Sequence, residues 1–192
     1  MSRHCTSGRP ASIITENWRV NTARFLVGTP FFCAIFAALS AETRIRAAVG
    51  TGEDLARVQG ELVSADYFKV FGVKPRLGRA FAPGEDQPGA SPVVVLSYSF
   101  WQSQFGGDRD VLNRDLLLDG KPHRIIGVLP PGSFDRDQAV FWKPLIFAPE
   151  QMNRGQHIWR VVGRLRAGVS LKQARAGMNV LRASLASAFE PF

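Results

Sequence analysis

The chain has 192 residues, 45% hydrophobic and 21% charged, with a formal net charge of +8. That is enough for one domain, or two small subdomains, burying about 70% of the unfolded surface with no disulfide or metal staple. The composition excludes a disordered tail. A mean hydropathy of −0.04 and the lack of an apolar run of about 18 to 20 residues exclude a polytopic membrane protein, so the sequence reads as a soluble piece. The positive charge invites a nucleic-acid or anionic-membrane reading. However, Arg9, Arg24, Arg44, Arg57, Arg79, Arg109, Arg124, Arg136, Arg164 and Arg182 are strewn along the chain, whereas a binding groove concentrates its bases to focus a field.

In chain order, the first patterned segment is Phe25 to Leu39, FLVGTPFFCAIFAAL. It has the length of a signal-peptide core and follows Arg19 and Arg24, but Glu16 lies in the preceding stretch and Gly28, Thr29 and Pro30 interrupt it. The simpler reading is a helix capped by Thr29, with Pro30 at its first position and Phe32, Ile35, Phe36 and Leu39 as its buried stripe. Cys5 and Cys33 form no CxxC spacing and no disulfide framework. Arg57 to Val63 alternates as a strand ending at Ser64. Ser64 then reads as the N-cap of a short helix that carries Tyr67, Phe68 and Phe71 inward and stops at Gly72. Lys74 to Gly89, punctuated by Pro75, Gly78, Pro83, Gly84 and Pro88, reads as an irregular connection.

Pro92 to Leu96 (PVVVL) is a short β-branched core strand. Ser97 caps the next helix, which places Phe100, Trp101 and Phe105 on its apolar side and ends at Gly106 and Gly107. Leu116 to Gly120 and His123 to Leu129 predict a hairpin turning at Asp119 and Gly120, closed by Pro130, Pro131 and Gly132. Trp159 to Leu165 alternates as a strand, Gly168 turns the chain, and Ser170 with Gln173 forms a capping box. Leu171, Ala174, Met178, Leu181, Leu185 and Phe189 then share one helical face. Two separated strand-helix units around a hairpin-containing middle predict α+β rather than a doubly wound sheet.

Catalytic patterns are missing from the sequence. There is no GxxxxGK[ST] phosphate loop and no GxSxG elbow, and Ser97 and Ser99 have no nearby His to act as base. His123 and His157 fall in none of the HxH, HExxH or HxxxH spacings of metal sites and read as surface or hydrogen-bonded side chains. Asp108 with Asp110 and Asp135 with Asp137 do not continue as EF-hand loops, so turn chemistry is the simpler account of both pairs. Trp101, Trp142 and Trp159 read as core anchors. No catalytic, cofactor-binding or metal-ligating residue is assigned, and no cofactor is expected.

Four strings carry a family signal: LVSADYFKVFGVKPRLGRAF (Leu62 to Phe81), PVVVLSYSFWQSQFGGDRDVLNRDLLLDGKPHRIIGVLPPGSF (Pro92 to Phe134), FWKPL (Phe141 to Leu145) and HIWRVVGRLRAGVSLKQARAGMNVL (His157 to Leu181). Over roughly Phe32 to Phe189 the chain resembles the MacB-like periplasmic core domain of ABC-transporter permeases, of the orphan type abundant in acidobacteria. The resemblance implies an α+β fold in which a porter-like α/β part is built from both chain ends, Arg57 to Phe71 and Trp159 to Phe189. A mainly β subdomain, about residues 92–145, is inserted between them. Residues 1–31 are unassigned and 32–192 form the core domain.

By the same resemblance the chain is an extracytoplasmic, non-catalytic domain of an export permease, coupling membrane-helix motion to the handling of substrate or partner. Its implied partners are permease transmembrane helices and a separate ATP-binding subunit, with a homodimer left open. The implied location is the periplasmic face of the inner membrane, or the cytoplasm if an export signal is lacking. The family's first membrane helix should lie further upstream of VSADYF than Phe25 to Leu39, and the three helices that normally follow the last amphipathic helix do not appear before Phe192. The expectation is therefore a fragment. A stand-alone basic module for anionic lipid or nucleic acid, a non-functional truncated copy, and an enzyme with a convergent site remain the rival readings.

Overall fold

The computed structural model describes residues 13–17, 35–50, 55–134, 138–146 and 160–188, with side chains described from 35 to 180 within those ranges. The strands are β1 (Ile13–Asn17), β2 (Phe36–Val49), β3 (Ala56–Val63), β4 (Leu77–Gly78), β5 (Val93–Leu96), β6 (Asp115–Leu118), β7 (Lys121–Val128), β8 (Phe141–Pro144) and β9 (Arg160–Leu165). The helices are α1 (Tyr67–Phe71), α2 (Tyr98–Phe105) and α3 (Leu171–Ala188).

All nine strands share one mixed sheet in the order β1-β9-β2-β3-β8-β5-β7-β4, with β6 bridging β7 and β2. β6 closes the path from β2 through β3, β8, β5 and β7 back to β2, which makes a six-stranded ring. The last link is the bridge Val49 to Leu118, reinforced by Asp119 N–H donating to Ala48 O at 2.8 Å and Ala48 N–H donating to Asp119 Oδ1 at 2.8 Å. Asp119 (φ 50°) and Gly120 (φ 74°) both take left-handed conformations, the type I′ geometry that matches the twist of a two-residue hairpin.

The two-residue period of a strand sorts side chains between the faces of this ring. Ala47, Val49, Val94, Leu96, Leu116, Leu118, Ile125 and Phe141 form an apolar interior, joined by Phe100 and Trp101 from α2. Gly60 is required there: a Cβ at that position would sit 2.2 Å from the Phe141 ring. A second core covers the outer face, where Tyr67 and Phe68 of α1 pack with Val63, Val93, Val95, Ile126 and Trp142. A third joins Ala174 and Met178 of α3 to Phe36 and Leu165.

Most expected elements are present. Ser97 accepts from Phe100 N–H at 3.1 Å as an N-cap, and Gly72 and Gly106 end α1 and α2 in left-handed conformations. Ser170 and Gln173 form the capping box, Gln173 N–H donating to Ser170 Oγ at 3.2 Å and Ser170 N–H to Gln173 Oε1 at 2.8 Å.

Three expectations need correction. Phe36 to Leu39 belongs to strand β2, not to a helix. β9 supplies backbone partners along this stretch, and Gly163 leaves room for Phe36 and Leu39 to lie over it, so tertiary pairing overrides the helix propensity of the alanines. Ser64 does not cap α1: its backbone carbonyl accepts Tyr67 N–H at 3.0 Å, while its hydroxyl turns to Ser40 Oγ at 2.8 Å and Ala41 N–H at 3.1 Å. Leu171 is 42% exposed; Val169, Ala174 and Met178 make the packed face instead.

Strand β1, antiparallel to β9, was assigned no element by the sequence patterns. Cys5, Thr29, Pro30, Phe32, Cys33, Asp135, Asp137, His157, Trp159 and Phe189, with the side chains of Leu181 and Leu185, lie outside the described residues.

Candidate functional site

The outer face of the ring carries a feature that an all-apolar layer would not. In the antiparallel pair β2–β3, Glu42 lies opposite Val63 and Arg44 opposite Glu61, so both glutamates share the face that α1 covers. They are 2% and 1% exposed. A carboxylate taken out of water is strongly disfavoured unless hydrogen bonds or opposite charge replace its hydration.

Three elements supply those partners. Tyr67 Oη on α1 donates to Glu61 Oε2 at 3.0 Å, and Trp142 Nε1 on β8 donates to the same oxygen at 2.9 Å. Arg160 Nε on β9 donates to Glu42 Oε1. Among the described residues Glu42 Oε2 makes no hydrogen bond. Burial, followed by the negative charge of Glu61 and Glu42, pushes the Tyr67 phenol far above its ordinary range, so it remains a hydroxyl and a donor.

Aromatic rings seal this polar node from water. Phe134 stacks on Tyr67 at 5.3 Å, and Phe68 meets Tyr67 and Trp142 edge-on at 5.5 and 6.1 Å. Arg164 Nε of β9 donates to Val70 O at 2.6 Å, so β9 also holds the last turn of α1. Two glutamates, a tyrosine, a tryptophan and an arginine thereby tie β2, β3, β8, β9 and α1 at one place.

A separate open groove of about 810 Å³ lies among β5, β6, β7 and the connection after β4. Val93, Leu112, Pro122, Ile125 and Ile126 contribute its apolar lining. Two ion pairs stand in it, Arg79 with Glu85 and Arg124 with Asp115, each at 2.6 Å. Burial opposes the charge on Glu85, but its bonds from Arg79 and Ala82 N–H prevail and hold its carboxyl below the ordinary range. Both guanidinium groups are thus engaged by the protein's own carboxylates.

The sequence-stated candidates fall in structural places. Trp101 and Trp142 are buried anchors. Asp108 Oδ1 accepts from Asp110 N–H at 2.9 Å, which is turn chemistry, as expected. His123 is 7% exposed and its Nδ1 lies 2.9 Å from Lys121 O. Among the described residues no group of three or more His, Cys, Asp or Glu side chains could hold a metal ion, and no helix is long and apolar enough to cross a membrane. The buried glutamates were missed by sequence reasoning. Their one signal was position: Glu61 occupies the same strand face as Val63, where the period calls for an apolar residue.

This arrangement of strands, short helices and capped ends has close parallels. The sequence profile of the MacB-like periplasmic core domain matches residues 12–181. The chain belongs to this family. No curated protein matches it. Among solved structures, the periplasmic region of MacB from Actinobacillus actinomycetemcomitans superposes with a TM-score of 0.68 at 19% identity, covering 88% of this chain and 74% of that one. The extracellular domain of the noncanonic ABC-type transporter YknZ from Gram-positive bacteria gives 0.61 at 16% identity, over 83% and 78%. A domain of a putative permease protein from Porphyromonas gingivalis gives 0.57 at 19%, over 82% and 69%. These likenesses establish a shared α+β fold. The chain is a MacB-like periplasmic core domain of the kind found in ABC-type permeases.

Proposed function

We propose that this domain is a non-catalytic, force-transmitting part of an ABC-type export permease. It stands at the periplasmic face of the inner membrane and couples the motion of membrane helices to the handling of substrate or partner. In this reading ATP is hydrolysed by a separate subunit, and the permease's transmembrane helices, with a second copy of the domain as a further candidate, are the partners. Residues 32–192 belong to the core domain, with residues about 92–145 as its inserted subdomain, and strand β1 adds residues 13–17 to the same sheet.

The observation that carries this reading is the polar node under α1. In it Arg160 of β9 donates to Glu42 of β2, and on the same face Glu61 of β3 accepts from Tyr67 of α1 and from Trp142 of β8, at the end of the insert. Hydrogen bonds of fixed geometry between these elements resist their relative displacement. The test is a permease carrying this domain, assembled with its ATPase. Replacing Trp142 by Phe should reduce export while ATP hydrolysis continues. Unchanged export, or ATP hydrolysis by the purified chain alone, would contradict the proposal.

A further inference from the structure

Strands β7 and β8 bring basic side chains onto the inward face of the ring. Lys143 lies opposite Leu62 and two residues from Phe141, whose ring belongs to the interior core. His123 lies opposite Leu116 and two residues from Ile125, both interior residues. The strand period therefore directs Lys143 and His123 inward. Lys143 is half-buried, and Lys121, at the start of β7, is exposed.

Their bonding leaves donor capacity unused. His123 Nδ1 is 2.9 Å from Lys121 O; with that nitrogen donating to the carbonyl, Nε2 is the atom left to meet a ligand. Among the described residues the Lys143 ammonium makes no hydrogen bond or ion pair. Asp119 is the acid that acts on both groups, and its Oδ1 already accepts from Ala48 N–H. Burial, with the charges of Lys143 and Lys121, lowers the His123 pKa, against the pull of Lys121 O and Asp119. Burial and Lys121 lower that of Lys143 against Asp119. Val94 pairs with Ile125 on β7 and its neighbour Val95 with Trp142 on β8, so Lys143 and His123 lie toward one end of the inward face. Lys121 lies two residues along β7, opposite Leu118, and added negative charge there relieves their mutual repulsion.

We infer that Lys143, His123 and Lys121 form a binding site for a small oxyanion of the sulfate or phosphate type on the inward face of the ring. An oxyanion there accepts from Lys143 Nζ and, when the imidazole is protonated, from His123 Nε2, with Lys121 adding charge from the rim. By linkage, protonation of His123 and anion binding strengthen one another.

The test uses the full chain and sulfate, which stays a dianion across the titration range of histidine. The His123 ring is followed by NMR, assigned with His123→Gln, as sulfate replaces chloride at constant ionic strength. The expected result is an upward movement of the His123 titration midpoint with sulfate, abolished in Lys143→Met. That variant keeps the aliphatic stem and removes an unpaired half-buried charge, so it should fold at least as well as the parent. Lys143→Arg should retain most of the response. No movement in the parent chain would overturn the inference, and so would an equal movement in parent and Lys143→Met.

Discussion

The two faces of the ring are held by different physics. Inside, Phe141, Leu96, Leu118 and their neighbours meet through shape alone, to the point that Gly60 gives its side-chain volume to the Phe141 ring. Outside, α1 is only five residues long and too short to be a stable helix by itself. It is held by the rings of Tyr67 and Phe68 and by bonds from Tyr67 to Glu61 and from Arg164 to Val70. Packing gives the interior a steep penalty for any change of volume. Hydrogen bonds to buried carboxylates give the outer layer geometric specificity with little net stability, because desolvation offsets most of the attraction.

The largest effect should come from breaking the interior fit. Phe141→Ala leaves a cavity and should destabilise by about 3–5 kcal/mol in chemical denaturation. Gly60→Ala should destabilise by overpacking, by at least about 1–3 kcal/mol. If the two residues share one volume, Gly60→Ala combined with Phe141→Leu should be less destabilised than the sum of the singles. Simple additivity would show that the Gly60 requirement lies in the backbone rather than in the ring above it.

A smaller effect separates the polar positions from the apolar ones by pH. The His123 pKa is lower folded than unfolded, so the unfolded chain takes up the proton first as pH falls. The stability that neutral His123 contributes is present above its ordinary value of about 6.5 and is lost as pH falls below it through the folded value. Thermal unfolding should therefore shift to lower temperature across that window. His123→Gln should flatten the slope there and leave the shape of the curve at higher pH unchanged.

Local signals were more legible in the sequence than long-range ones, for a physical reason. PVVVL, the Asp119–Gly120 turn, the Ser97 cap and the Ser170–Gln173 box are local signals whose partners lie within a few residues, and each appears in the structure. The polar node is not local. Glu61 finds Tyr67 six residues away but Trp142 at a separation of 81, and Glu42 finds Arg160 at 118. No window of sequence holds such a set. The same distance effect turned Phe36 to Leu39 into a strand, since β9 lies far along the chain. Ser64 looked like a cap because its partner Ser40, across the β2–β3 pair, lies 24 residues back.

Helix α1 is a separately held layer, able to loosen while the ring stays closed. Native-state hydrogen exchange measures this directly, because it resolves openings smaller than global unfolding. The amides of Val70 and Val73, bonded to Asp66 O and Phe68 O, should exchange through a lower-energy opening than those of Val94 to Leu96 in β5. Tyr67→Phe should lower the α1 opening by about 1–2 kcal/mol, because Glu61 loses a donor, and leave the β5 opening nearly unchanged. Exchange of both regions through one common opening, moved equally by Tyr67→Phe, would show instead that α1 and the ring open as one unit.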